Sequence, residues 1–174
     1  MGAMGTYSSS LVVALLLCTA PACGADSPDI AGTYAVTAHE DSSRTGTCDQ
    51  LEAGRDYEVF VVSGGQGGYR IYPGGIVPTS NLPLGPTLGE PVPHGWRGEH
   101  ISTQSADPCV ATRLRGVATM ANENELTFDL RNEQKVFAVD EVSVDQCTTD
   151  EVAERWSGAE CLARTRLMGV RSGD

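Results

Sequence analysis

Apolar and polar residues alternate with a period of two through much of the chain after residue 30. Tyr34, Val36 and Ala38 alternate with Thr33, Ala35 and Thr37; Leu126, Phe128 and Leu130 are separated by Thr127 and Asp129 and flanked by Glu125 and Arg131. Successive side chains of an extended strand point to opposite faces, so each stretch predicts a half-buried strand. The segment Ala121-Asn122-Glu123-Asn124 reads as a turn between a strand expected over 110–120 and the one that carries Leu126, which predicts a hairpin. Residues 57–62 are almost continuously apolar, and 69–72, 100–104, 135–144 and 161–170 are further candidates, for about eight strands in all.

One helix interrupts this pattern late in the chain. Thr148-Thr149-Asp150-Glu151 reads as a capping box, with the Thr148 hydroxyl at the N-cap and Glu151 reaching back to it. Val152, Ala153, Trp156 and Ala159 supply a narrow apolar stripe, and Gly158 is expected to stop the helix. Many strands with one short helix before the last predict a mainly β fold. Either a single antiparallel barrel or a β-sandwich satisfies the pattern.

The first strand opens with Asp29-Ile30-Ala31-Gly32-Thr33-Tyr34, which resembles the Gly-x-Trp opening of lipocalins and related small barrels, with Tyr34 in place of Trp. The resemblance implies a barrel in which an arginine of a late strand, Arg164 or Arg166, stacks on the aromatic ring by a cation–π contact. A helix before the final strand is also lipocalin-like.

Residues 11–17 are apolar and uncharged, and Ala20-Pro21-Ala22-Cys23 follows. Such a run falls far short of the roughly 20 residues that span a bilayer, so it reads as the apolar region of a signal peptide. Ala20-Pro21-Ala22-Cys23 resembles the lipobox of bacterial lipoproteins. The resemblance implies cleavage after residue 22, acylation of Cys23 with palmitate-type chains, and attachment to a membrane. Gly24 and Ala25 lack the Asp of the inner-membrane retention signal, so the expected location is the outer membrane of a cell envelope, with secretion as the alternative. The chain then divides into a signal peptide (1–22), a tether (23–29) and one β-rich domain (30–174).

With Cys18 lost in the leader and Cys23 acylated, Cys48, Cys109, Cys147 and Cys161 remain, an even number that suits disulfides in an oxidising compartment. Cys147 with Cys161 would close a loop of about 15 residues, worth roughly 3 kcal/mol in the chain-entropy model, and Cys48 with Cys109 about 62 residues, worth roughly 4 kcal/mol. The two other pairings stay open.

Composition narrows the function classes. The chain has 174 residues and a formal net charge of −11, which disfavours nucleic acid and anionic surfaces as partners. The acidic excess sits toward the two ends and leaves residues 67–119 nearly balanced, and every basic residue except Lys135 is Arg. His39, His94 and His100 lack metal-ligand spacing, Gly-x-Ser-x-Gly and Cys-x-x-Cys are absent, and no cofactor or metal is expected. The glycine-rich run 64–68 joins two strands, so it reads as a hairpin loop and not as a phosphate cradle.

The stretch 73–96 holds six prolines and five glycines in 24 residues. Long irregular segments of this kind act as covers or as ligand and partner loops, and Leu82, Leu84, Leu88 and Trp96 are its apolar contacts. The expectation is a buried Trp96 with mobility over 79–90. Arg113 and Arg115 share one strand face, as do Arg164 and Arg166. Pointing outward they are ordinary polar positions; lining a barrel they would make an anion-binding cavity. The expected function is that of a non-enzymatic envelope lipoprotein, a binding module for a small ligand or envelope component. The alternative is a structural or protein-interaction lipoprotein without a cavity.

Overall fold

The computed structural model describes residues 27–41, 48, 51–64, 67–74 and 82–173. The expected leader, Cys23 and most of the tether lie outside the described residues, as do residues 75–81 of the proline-rich loop. Among the described residues, no helix is long and apolar enough to cross a membrane.

Eight strands build one antiparallel sheet: β1 (Gly32–Asp41), β2 (Glu52–Ser63), β3 (Tyr69–Pro73), β4 (Glu90–Val92), β5 (Gly95–Gln104), β6 (Cys109–Asn122), β7 (Glu125–Phe137) and β8 (Glu160–Gly173). Their order is β3-β2-β1-β8-β7-β6-β5-β4. The sheet is single, not two stacked layers, and it curls into a half-barrel whose edges approach. Tyr69 of β3 exchanges backbone hydrogen bonds of 2.9 and 2.8 Å with Leu88, just before β4, and the Leu84 amide donates to the Ile71 carbonyl at 2.6 Å. A strap over 84–88 therefore joins the two edges. It crosses β5 at Gly98, where a Cβ would fall 2.0 Å from the Thr87 carbonyl oxygen, so only glycine permits the crossing.

Two sequence expectations change here. The alternation over 135–144 is not a separate strand, because β7 runs on to Phe137, opposite Cys109, and the amides of Glu141 and Val142 then turn back onto the Ala138 carbonyl. Val136, Val139 and Val144 are apolar but 56%, 59% and 42% exposed, whereas Val142 is buried beside Phe137 in the second cluster. The helix α1 (Thr149–Glu154) has the Thr148 hydroxyl accepting from the Glu151 amide at 3.4 Å. The Glu151 carboxylate pairs with Arg155 one turn on, so the reciprocal half of the capping box is not formed. Arg155 caps the helix, which ends before Gly158.

The inner face of the curl carries Tyr34 and Val36 from β1, Val59 and Val61 from β2, Ile71 from β3, Ala118 and Met120 from β6, Leu126 and Phe128 from β7, and Leu167 from β8. Leu88 of the strap is also fully buried there, a gain of roughly 1.5–3 kcal/mol for such a side chain. A second cluster lies on the opposite face of β6 and β7, where Cys109, Ala111 and Phe137 meet Val142, Cys147, Val152 and Trp156 from the segment around α1.

The segment before β1 crosses one end of the curl. The Trp96 indole donates to the Pro28 carbonyl at 2.8 Å, the Tyr69 hydroxyl to Asp29 Oδ1 at 3.0 Å, and Arg171 to the Ala31 carbonyl at 3.2 Å. Trp96 stays half-buried with its ring 5.1 Å from that of Tyr69, and is not fully enclosed.

The disulfides pair Cys48 with Cys161 and Cys109 with Cys147, which corrects the expected Cys147–Cys161 and Cys48–Cys109 bridges. Strand register explains the difference. The last residue of β7 lies opposite Cys109, so the chain leaving β7 brings Cys147 to that strand. Arg164 pairs with Asp41 at the end of β1, so Cys161, three residues earlier in β8, meets Cys48 in the connection out of β1.

Candidate functional site

Alternation settles where the four arginines point. On β6 the inner face takes Gly116, Ala118 and Met120, so Arg113 and Arg115 lie outside, and register places Arg164 and Arg166 of β8 on the same outer face. The interior anion cavity is therefore not formed: that space holds Phe128, Leu130 and their neighbours.

Arg113 does structural work. It contacts Glu133 at 2.6 Å, lies 4.6 Å from the centre of the Trp156 ring, and so fixes the helical segment to the sheet. Arg164 and Arg166 converge on Asp129 of β7, at 2.6 and 2.9 Å. Burial alone would raise the Asp129 carboxyl, but hydrogen bonds and charge from the two arginines outweigh it and hold the group below the ordinary carboxylate range. Neither Arg164 nor Arg166 reaches Tyr34. Arg171, at the far end of β8, donates to the Tyr34 hydroxyl at 2.9 Å with its guanidinium 5.4 Å from the ring centre. Arg164 and Arg166 sit too near the other end of the strand, opposite Asp41 and His39.

Three hollows open on the outer surface. One of about 460 Å³ runs between the strap and β5–β6, lined by Thr87, Glu90, Arg97, Glu99, Arg115 and Val117 among others. Another of about 430 Å³ lies on the other side of the strap, against Val62, Arg70 and Tyr72. A third of about 250 Å³ is lined by Arg115, Val117, Asp129 and Arg131. The predicted loop residues divide: Leu88 and half-buried Leu84 are held in the strap, Trp96 supports the closed end, and Leu82 is 72% exposed. The 84–88 segment is thus a cover hydrogen-bonded to β3, and residues 79–81 of the stretch expected to be mobile lie outside the described residues.

Asp129, Arg131 and Glu133 were not singled out from the sequence as site residues. Their signal lay in cross-strand register. His39 lies on β1, His94 in the β4–β5 turn and His100 on β5, and no group of three metal-ligating side chains forms among the described residues. No known family, curated protein or solved structure matches this chain.

Proposed function

We propose that this chain is an exported, lipid-anchored recognition module of the cell envelope that engages a polar ligand or envelope component across its outer face. One observation carries the reading: among the described residues, side chains such as Tyr34, Phe128 and Leu167 fill the curl, whereas hollows of about 460 and 430 Å³ open outside it. Two disulfides suit an oxidising compartment. Residues 24–26 separate the acylated Cys23 of this reading from Ser27, a reach of at most roughly 14 Å. The anchor would thus keep the end plugged by Pro28 and Trp96 near the bilayer. The barrel-carrier alternative, which the lipocalin resemblance suggests, requires an apolar ligand inside the curl.

Titration of the purified protein with a long-chain fatty acid and with an uncharged apolar dye separates the two. External recognition predicts no stoichiometric uptake and no change in the NMR signals of Phe128 and Leu167. One-to-one binding that shifts those signals would replace it with a carrier function.

A further inference from the structure

Register aligns Arg115, Arg131 and Arg164 directly opposite one another across β6, β7 and β8, with Glu99 and Asp41 at the two ends of the row. Like charges facing each other destabilise a sheet, so three guanidiniums in a row call for compensating negative charge. Arg164 has it from Asp129, which Arg166 shares. Arg115 and Arg131 do not have it in full. Arg115 Nε lies 3.5 Å from Glu99, Arg131 Nε lies 3.6 Å from Asp129, and the two side chains are 45% and 43% exposed. Those separations exceed a good N–H···O bond, and each half-exposed guanidinium has five donors, more than one loose ion pair can use.

Both arginines line the hollow of about 250 Å³, with Val117 and Asp129, itself paired with Arg164 and Arg166, completing its lining. We propose that this hollow binds a phosphate group, held between Arg115 and Arg131. A tetrahedral phosphate offers enough oxygens for both planar forks at once, whereas a carboxylate satisfies one. The acidic surplus of the chain does not forbid it: at physiological ionic strength charges screen over about 8 Å, so the nearest arginines dominate. Free phosphate, a soluble monoester and a phospholipid headgroup present the same chemistry to the arginines. The proposal deepens the reading of the outer face as the recognition surface.

The test is an NMR titration of the full mature protein with inorganic phosphate in 0.15 M sodium chloride, read at the arginine Nε–H signals, with phosphatidylglycerol and phosphatidylcholine vesicles as second and third arms. Saturable shifts centred on Arg115 and Arg131 are expected. Affinity should fall at least tenfold in the R115Q/R131Q variant and stay unchanged in R70Q, on the other side of the strap. Phosphate binding alone identifies a soluble ligand; binding of phosphatidylglycerol as well, competed by phosphate, identifies a headgroup. Non-saturating shifts spread over all arginines, or binding undiminished in R115Q/R131Q, would overturn the proposal. The wild-type shift map decides even where the variant fails to fold. A null titration leaves external recognition standing, whereas fatty-acid uptake into the curl would remove that reading and leave the phosphate site intact.

Discussion

Gly116 should be nearly irreplaceable even by alanine. It lies on the inner face of β6 opposite Leu130, and a Cβ there would fall 2.9 Å from Phe128 Cε2, 3.2 Å from Phe128 Cζ and 3.2 Å from Leu88 Cδ2. The Phe128 ring is 1% exposed and held between β6 and β8, so it has little room to retreat. Gly116→Ala should therefore cost about 1–3 kcal/mol by overpacking. Phe128→Ala alone should cost about 3–5 kcal/mol by leaving a cavity. With the ring removed the two closest contacts vanish, so the double variant should be more stable than the sum of the singles predicts, by about 1–3 kcal/mol. Urea unfolding with disulfides intact measures this, with the fluorescence of Trp96 and Trp156 reporting the two buried clusters. A neutral Gly116→Ala, or costs additive within about 0.5 kcal/mol, would show unfilled space beside Phe128 and refute the filled interior.

Non-reducing peptide mapping should recover Cys48 joined to Cys161 and Cys109 joined to Cys147; a Cys147–Cys161 peptide would contradict the register argument. Removing the Cys48–Cys161 bridge, of sequence separation 113, should cost about 5 kcal/mol, and removing Cys109–Cys147, of separation 38, about 4 kcal/mol in the chain-entropy model. The lowered pKa of Asp129 means that its stabilisation is complete above the unfolded value and is lost as pH falls through the folded one. Asp129→Asn should consequently flatten stability against pH on the acid side, and an unchanged acid limb would reject the arginine clamp. Hydrogen exchange at the Leu84 and Leu88 amides should be slow, since both are bonded to β3; fast exchange at both would show that the strap is not attached.

Strands with one buried face were legible because alternation survives there: Leu126, Phe128 and Leu130 are each enclosed or half-enclosed, and the residues between them face outward. The strap and β4 were not, because Leu88 gains its burial from a single bridge to Tyr69 inside a proline-rich segment that has no period to read. The arginine row was hidden by one residue. Counted straight from the Asn122–Glu125 turn, Arg115 would face Asn132; an irregularity between Met120 and Asn122 shifts the ladder and sets it against Arg131. The cysteine pairing failed for a related reason. Proximity in sequence favoured Cys147 with Cys161, while the order of strands carried each to a different neighbour.

Export and tethering place the proposed recognition module in the cell envelope, and one spectrum tests both. Protein extracted from its native membranes in detergent should be weighed intact without reduction. The account predicts a chain that begins at Cys23, carries acyl chains on that residue, and lacks the four thiol hydrogens consumed by the two disulfides. A chain that retains residues 1–22 with all its thiols free would contradict it.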